Sequence, residues 1–306
     1  MVGRIVEIAE DGRHLSLRRG FLVVGTGHEE IGRVALDSIG AVIVNAHGTT
    51  WSNALMIALT RRGVPVVLCG PQHRPEAVLW PVDGHHVQAH RMRCQAEARL
   101  PLRKRLWQQL VQAKIRMQGS VVGALGGPEA AFARLARTVR SGDPDNVEAQ
   151  AARRYWPLVM GPDFRRDPEA PGANALLNYG YTVLRAATAR SVMGAGLHPT
   201  LGLHHHNRGN PMCLVDDVME PFRPFVDLTV RTLVRDGLED LTPPVKQALV
   251  AVTTLDLPGP KGTSPLATAL DALTHSLATS FEAGSAALDL PTTPTALDLV
   301  GCERAQ

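Results

Sequence analysis

The sequence has few cysteines and no long apolar run. Its four cysteines are scattered without close pairs, at Cys69, Cys94, Cys213 and Cys302. This distribution argues against a disulfide framework, a structural zinc site or a redox motif. No apolar run approaches the length of a membrane span, and residues 1–12 contain no apolar core of a secretion signal. We therefore expect a cytoplasmic protein with no membrane partner.

The rest of the composition is typical of a globular protein. The 306 residues suffice for one large domain or two ordinary ones, with 44% hydrophobic and 20% charged residues. The net charge of +3 says little about partners. Basic residues nevertheless concentrate in residues 91–105 and recur at Arg134, Arg137 and Arg140. Locally basic helices suit a polyanion such as DNA, although a solvated helix face explains the arginines equally well when they are taken alone.

The first part of the chain carries strand patterns. Short alternating segments lie on both sides of Asp11-Gly12, which predicts a β-hairpin there because glycine tolerates a positive φ. A β-α-β unit follows, in which Thr49-Thr50 caps the helix. Its strand, helix and strand are predicted at Ala41–Val44, residues 49–62 and Val64–Leu68. We expect a small β-rich domain over residues 1–75.

From about His90 the alternation gives way to a period of 3.6 residues, which is typical of amphipathic helices. Helices are predicted, with a break at Pro101, over residues 91–118, 128–140, 147–160, 173–195, 215–236, 243–253 and 264–283. Residues 76–89 are rich in Pro, Gly and His and predict a linker, and residues 292–306 predict a loose tail. The predicted fold class is α+β, with an N-terminal β-rich domain followed by a mostly α-helical catalytic domain over residues 90–291.

The stretch GLHPTLGLHHHNRGNPMCLVDDVMEPFRP, residues 196–224, groups imidazoles with carboxylates. Three consecutive histidines precede three acidic residues: His204, His205, His206, Asp216, Asp217 and Glu220. On a helix, these acids stand three and four residues apart and can share one face. Such a loop is half of a divalent metal site, and a third ligand must come from elsewhere in the chain.

Glu148, in the stretch SGDPDNVEAQAARRYWPLVMG, is the leading candidate for that third ligand. Asp145 followed by Glu148 is also a capping-box pattern, in which the glutamate only satisfies a backbone donor at a helix start. Both interpretations are open from the residues alone. Asp143 and Asp145 are weaker ligand candidates because Pro144 and Asn146 indicate a turn.

Several spaced motifs together resemble one known family. NVEAQAARRYW, LNYGYTVLRAATAR, GLHPTLGLHHHN and DVMEPFRPFVD occur in this order. They resemble the CRISPR-associated adaptation integrase, the metal-dependent endonuclease that inserts new spacers, and GLHHHN with MEPFRP is similar to its type II branch. Weaker agreement extends to LWQQLVQAKIRMQ, HSLATSF and LDLP. The resemblance covers residues 1–291, and the C-terminal tail has no counterpart.

This resemblance implies a β-rich N-terminal domain that mediates homodimerisation and a helical catalytic domain that binds Mg²⁺ or Mn²⁺. It implies Glu148, His205 and Glu220 as catalytic metal ligands, with Asp217 as a supporting acid. The residues themselves leave His204 and His206 open as alternatives to His205. The family acts on double-stranded or branched DNA as homodimers that are bridged by a small second CRISPR adaptation protein.

The expected function is therefore a metal-dependent DNA endonuclease and integrase. It would insert short foreign DNA fragments, or spacers, into a CRISPR array by transesterification at repeat ends. One imidazole with oxygen ligands suits a hard cation, and Arg208 or Arg223 is expected to hold the target phosphate. The alternatives are a non-catalytic DNA-binding scaffold of the adaptation complex and a metal-dependent hydrolase of small phosphoesters, which would not need the basic helices.

Overall fold

Two four-stranded sheets form the N-terminal part of the protein. The computed structural model describes residues 4–27, 29–70, 75–82, 84–259, 262–295 and 298–299. The strands are β1 (Arg4–Ile8), β2 (His14–Arg18), β3 (Phe21–Thr26), β4 (Glu29–Ala35), β5 (Ile39–Val44), β6 (Thr50–Trp51), β7 (Val66–Cys69) and β8 (Pro75–Leu79). The strand order is β4-β3-β2-β6 in one sheet and β1-β5-β7-β8 in the other.

The hairpin predicted around Asp11-Gly12 is wrong. The flanking strands lie in different sheets, because β1 pairs with β5 in parallel whereas β2 pairs with β3. The β2–β3 hairpin turns instead at Arg19 and Gly20, whose φ angles are 47° and 82°. Positive φ at both central residues is what a two-residue hairpin turn requires. The choice of a parallel partner for β1 depends on distant residues, and no local spacing indicates it.

The predicted β-α-β unit is confirmed. Strands β5 and β7 are parallel, and helix α1 (Asn53–Thr60) connects them. The predicted cap is wrong by a few residues, since the Ser52 side chain accepts from the Leu55 amide while Thr50 pairs with His14 in the other sheet. All six residues of β5 are buried, as expected for a strand covered on both faces.

The linker predicted over residues 76–89 is wrong at both ends. Strand β8 occupies its first residues and pairs antiparallel with β7, and helix α2 begins at Gln88. The proline at position 75 stands at the start of an edge strand, where a missing amide costs no ladder bond. The edge strand is short, so its alternation is too brief to stand out beside the surrounding Pro, Gly and His.

The rest of the described chain is mostly helical. The helices are α2 (Gln88–Ala96), α3 (Leu100–Ala124), α4 (Glu129–Thr138), α5 (Val147–Met160), α6 (Ala173–Gly194), α7 (Cys213–Met219), α8 (Arg223–Arg235), α9 (Pro243–Ala251) and α10 (Leu266–Ala283). A short pair of strands, β9 (Asp256–Leu257) and β10 (Ser264–Pro265), precedes α10. The α+β fold class is confirmed, as is the break at Pro101, which lies in the first turn of α3.

The helix predicted over residues 215–236 is divided in two. A 3-10 turn, Glu220–Phe222, separates α7 from α8. Pro221 and Pro224 lack amide protons and therefore remove two backbone bonds of a continuous helix. The interruption places Glu220 between the two helices, where its side chain is 7% exposed.

The sheet β1-β5-β7-β8 and the helices share one core. Ile43 of β5 and Val67 of β7 belong to the same buried cluster as Trp107 of α3 and Phe222. The tail predicted as loose also reaches this cluster, because Leu299 is 2% exposed and the Thr292 amide donates to the Pro258 carbonyl at 3.0 Å. That prediction is thus wrong for residues 292–295 and 298–299, and its remaining residues lie outside those described. No described helix has both the length and the apolarity needed to cross a membrane.

Candidate metal centre

Two of the predicted site residues meet at one lysine. The Lys114 ammonium, on α3, lies 2.5 Å from Oε1 of Glu148 and 2.5 Å from Oε2 of Glu220. Burial alone would lower the pKa of Lys114, but Glu220 and Glu148 raise it above its ordinary value. The ammonium is therefore charged, and the structure brings together two carboxylates that are far apart in the sequence.

Glu148 is not used as a helix cap. At the start of α5, the Asp143 carboxylate accepts from the amides of Val147 at 2.9 Å and of Glu148 at 3.0 Å. Asn146, at a φ of 51°, accepts from the Ala149 amide. The capping-box interpretation of Asp145 and Glu148 is wrong, because Asp145 pairs with Arg140 at the surface. Since other residues satisfy the amides, the Glu148 side chain is available to the site.

Glu220 is held between two cations. Its Oε1 lies 2.9 Å from Nε of Arg223, and its Oε2 faces Lys114. Burial would raise the pKa of Glu220, but Arg223 and Lys114 lower it below its ordinary value. Neither Oε2 of Glu220 nor Nε of Arg223 makes an aligned hydrogen bond. The contacts are ion pairs, and one buried carboxylate oxygen still has capacity to bind a cation.

Asp217 organises the histidine loop, residues 198–210. Its side chain is fully buried and accepts from the amides of Leu203 at 2.6 Å and His204 at 3.0 Å, and its Oδ1 lies 2.5 Å from Nδ1 of His205. This contact raises the pKa of His205 above its ordinary value, with Glu220 and Glu148 contributing to the same shift. Because Nδ1 is engaged, Nε2 is the nitrogen of His205 that is left to bind a ligand.

Close packing under the loop requires a glycine at position 202. A Cβ there would lie 2.6 Å from the His205 carbonyl oxygen and 2.9 Å from Asp217 Oδ2. The loop chain therefore passes directly over α7, and this passage brings the loop amides within reach of the Asp217 carboxylate. The GLHHH motif is thus one structural unit, in which the glycine permits the approach that the aspartate stabilises.

The three histidines have different surroundings. The His204 ring stacks on Trp107 at 4.5 Å between centroids, and His205 meets the same indole edge-on at 5.6 Å. His206 is exposed. Trp107 and Lys114 stand two helical turns apart on α3 and so share one face. Sequence reasoning missed both, although their spacing of seven residues in LWQQLVQAK was visible.

A pocket of about 240 Å³ adjoins the cluster, and Lys114, Trp156, Arg166, Tyr181 and Arg223 are among its lining residues. Both guanidiniums lie over the Tyr181 ring, Arg223 at 4.7 Å and Arg166 at 5.7 Å from its centroid. The pocket is therefore positively charged at one side. Of the two arginines predicted to hold a phosphate, Arg223 lines this pocket, whereas Arg208 is exposed in the histidine loop.

Asp227, also in the pocket wall, accepts hydrogen bonds from the hydroxyls of Tyr155 at 3.0 Å and Tyr181 at 2.5 Å. Burial raises the pKa of Asp227 to about 6, against the opposing effect of these two hydrogen bonds. The carboxylate holds the Tyr181 ring under both guanidiniums. Sequence reasoning gave no role to Asp227 or to the two tyrosines.

The basic residues of the two segments differ in whether an acidic side chain pairs with them. Arg91 pairs with Glu282 and Arg140 pairs with Asp145, so these two are engaged within the protein. The other basic residues of the two segments are exposed except for the half-buried Arg103: Arg93, Arg99, Lys104, Arg105, Arg134 and Arg137. These exposed side chains are available to a polyanion.

The donor set suits a hard divalent cation. Two carboxylates and one imidazole are ligands that Mg²⁺ or Mn²⁺ accepts, and the ammonium already supplies a positive charge between the carboxylates. Within the described residues, no three His, Cys, Asp or Glu side chains are arranged closely enough to surround an ion as they stand. The residues fit the ion chemically, and their assignment as metal ligands stays a prediction.

A protein-family model described as CRISPR associated protein Cas1 matches residues 6–242 of this chain. The chain belongs to the Cas1 family. Its relatives include the CRISPR-associated endonuclease Cas1 of Neisseria meningitidis serogroup C (strain 8013), which is 38% identical over 247 residues. The match covers 79% of this chain and 81% of the relative. The resemblance stated from the motifs is confirmed, and the Neisseria relative fits the type II branch.

Solved structures share the Cas1 fold of this chain. A casposase bound to integration product superposes with a TM-score of 0.79 at 18% identity, covering 94% of this chain and 92% of that one. A Cas6-RT-Cas1–Cas2 complex contains a chain that superposes with a TM-score of 0.74 at 16% identity. That match covers 95% of this chain and 36% of the other. At these identities the likeness concerns the fold.

Proposed function

We propose that this Cas1-family protein is a metal-dependent DNA endonuclease and integrase. It inserts short DNA fragments into a CRISPR array by transesterification at repeat ends. The observation that carries the proposal is the meeting of Glu148 and Glu220 at one ammonium, with His205 in the electrostatic field of both. The endonuclease name of the Neisseria relative and the integration product held by the casposase support the same chemistry.

Glu148, Glu220 and Nε2 of His205 would hold Mg²⁺ or Mn²⁺ in this proposal. A bound ion would neutralise charge on the reacting phosphate and lower the pKa of the attacking or leaving oxygen. Asp217 keeps His205 in the tautomer whose Nε2 is free. Arg223, which Glu220 and the Tyr181 ring orient, binds the target phosphate from the pocket side.

The nucleophile decides which reaction follows. When the 3′-hydroxyl of a short DNA attacks a phosphate at the repeat boundary, one phosphodiester bond forms, one breaks, and the leaving 3′-oxygen takes up a proton. When water attacks, the same residues carry out endonuclease cleavage. Both reactions pass through a pentacovalent phosphate and need the same groups to hold it.

The proposed partners are double-stranded or branched DNA, a second copy of this chain, and a small second adaptation protein. The exposed residues Arg93, Arg99, Lys104 and Arg105 support backbone contacts with DNA that do not depend on sequence. The N-terminal sheets are proposed to form the homodimer. The Cas1–Cas2 complex among the structural neighbours supports a bridge by a second protein.

Cleavage of a branched DNA in Mn²⁺ by wild-type protein and by Glu148→Ala tests the proposal. We expect the substitution to lower the rate at least 100-fold, because it removes one of two carboxylates that hold the cation. Glu148 is preferable to Glu220 for this test. Its side chain is 22% exposed, whereas Glu220→Ala would leave both Lys114 and Arg223 facing a buried gap.

The matched control is Glu239→Ala, which removes an exposed carboxylate between α8 and α9 and should leave cleavage unchanged. Equal cleavage by Glu148→Ala and wild type would contradict the proposal. DNA binding without any Mn²⁺-dependent cleavage or joining in the wild type would indicate the non-catalytic scaffold instead. Faster turnover of a nucleotide monomer than of branched DNA would indicate the hydrolase of small phosphoesters.

A further inference from the structure

Lys114 has no role in the proposed chemistry, yet it occupies the centre of the site. Its side chain is 12% exposed, and its ammonium lies 2.5 Å from an oxygen of each glutamate. The other Glu220 oxygen faces Arg223. An ammonium and a divalent ion that both lie at contact distance from the same pair of oxygens repel each other strongly.

We propose that Lys114 is a tethered competitor of the divalent cation, whose ammonium must leave Glu148 and Glu220 before the ion can bind. This inference rests on the proposed function, since it takes the two glutamates as the cation ligands. It assigns to Lys114 the control of cation affinity. The free protein keeps its acidic cluster neutralised by its own side chain, and the ion binds only by displacing that side chain.

The pocket beside the cluster can accept the displaced ammonium. Lys114 lines the pocket of about 240 Å³ that also contains Arg166 and Arg223. The carboxylates of Glu220 and Asp227 line the same pocket. Once the ion neutralises Glu220, the released ammonium attracts a phosphate group together with the two guanidiniums, so cation binding strengthens DNA binding. By thermodynamic linkage, DNA must strengthen cation binding by the same factor.

The alternative role for Lys114 is that of a fixed support for the two carboxylates. In that role, Lys114 stays in contact with the outer lone pairs of both carboxylates, orients them, and helps the ion to bind. The two roles make opposite predictions for a variant that lacks the ammonium. Competition requires the variant to bind the cation more tightly, whereas support requires it to bind more weakly.

The test measures Mn²⁺ affinity, from the free ion detected by electron paramagnetic resonance, in wild type, Lys114→Met and Arg116→Met. Arg116 is an exposed cation on the same helix and serves as the matched control. We expect Lys114→Met to bind Mn²⁺ at least tenfold more tightly than wild type, and Arg116→Met to bind as wild type does. Equal or weaker binding by Lys114→Met would overturn the inference.

Lys114→Gln provides a second variant if Lys114→Met does not fold without the ion. The amide keeps a hydrogen-bond donor near the carboxylates but carries no charge, so tighter Mn²⁺ binding is expected here as well. An uncleavable phosphorothioate duplex gives a second readout. It should tighten Mn²⁺ binding more in wild type than in either variant, and an equal gain in all of them would contradict the displacement.

Glu148→Ala separates this inference from the function on which it rests. If that variant binds Mn²⁺ as tightly as wild type, the glutamates are not the cation ligands, and both the proposed function and the inference fail. If Glu148→Ala loses Mn²⁺ while Lys114→Met gains nothing, the proposed function stands and only the role given to Lys114 is wrong.

Discussion

Lys114 and Lys246 each bring an ammonium against a glutamate that is mostly buried, but the two clusters are built differently. Lys246 donates to Glu7 Oε1 at 2.8 Å, Asn45 donates to the same oxygen at 2.6 Å, and the Tyr179 hydroxyl donates to Oε2 at 2.7 Å. Both oxygens of Glu7 therefore have aligned donors. The Lys114 cluster combines two carboxylates with close ion pairs, and one of its buried oxygens has no aligned donor.

This difference separates a structural cluster from the cluster that is proposed to react. Glu7 lies on β1, Tyr179 on α6 and Lys246 on α9, so their bonds join the sheet to the helices. A carboxylate whose two oxygens both accept hydrogen bonds stabilises one arrangement. The Lys114 cluster holds two carboxylates together, and an ammonium offsets their mutual repulsion. The comparison teaches that the hydrogen bonding of the carboxylate oxygens, more than burial or charge, distinguishes the two.

The largest effect is expected from Lys246→Met, which removes the ammonium of the structural cluster. It leaves Glu7 buried without its ammonium, and we expect the free energy of unfolding to fall by about 3 kcal/mol. Urea titration followed by circular dichroism measures the change. Lys104→Met, at an exposed position, should stay within about 0.5 kcal/mol of wild type. Lys246→Met should cleave DNA at the wild-type rate per folded molecule. A loss of cleavage in the folded variant would contradict the division into structural and reactive clusters.

The next effect is expected from Asp217→Asn. An amide replaces one carboxylate oxygen and turns an NH₂ group toward the loop amides, so the histidine loop loses acceptors and His205 loses its orientation. We expect cleavage to fall about 10- to 100-fold, as for other residues that orient a metal ligand. The neighbouring Asp216→Asn weakens a pair with Arg185 and the hydrogen bond that Asn210, at the end of the loop, donates to Asp216, and neither of these contacts involves His205. Similar losses from both substitutions would show that general destabilisation, and not His205, is responsible.

The smallest effect is expected from Glu7→Gln, and it depends on pH. Burial would raise the pKa of Glu7, but its bonds with Lys246, Tyr179 and Asn45 lower it below the ordinary value. The folded state thus binds fewer protons than the unfolded state, so this stabilisation is present at neutral pH and is lost as the pH falls below about 4. We expect Glu7→Gln to be about 1 kcal/mol less stable at pH 7 and equal to wild type at low pH.

Unfolding measured across this pH range checks the Glu7 prediction. The difference between Glu7→Gln and wild type should shrink steadily as the pH falls through the pKa of the folded protein. A difference that stays constant down to low pH would mean that Glu7 stabilises the protein through packing and not through its charge. The two lysine clusters would then differ less than their hydrogen bonds indicate.

Local patterns in the sequence located most of the secondary structure. Helix α5 has the bounds that its periodicity predicts, residues 147–160, because its apolar positions and its start signals are contiguous in the chain. The division of the helix over residues 215–236 was missed even though two prolines signal it. The hairpin at Asp11-Gly12 was wrong because strand pairing depends on partners that lie outside the local window.

The candidate site shows the same division between local and distant information. The motifs identified the family and the residues Glu148, His205 and Glu220, but gave no reason to choose between a capping and a binding role for Glu148. Asp143 and Asn146 exclude the capping role, because their side chains satisfy the helix amides, and the binding role stays a prediction. Lys114 and Trp107 were not recognised, since an isolated lysine or tryptophan in a helix carries no local signal of its partners.

By itself, the sequence determined the family, the helical periodicity and the residue types that suit a hard cation, because these depend on order and spacing along the chain. Only the tertiary structure decided that Lys114 lies between Glu148 and Glu220, that Asp217 orients His205, and that Glu7 joins the sheet to the helices. Charges act through space and not along the chain, so their partners are known only once the helices have packed.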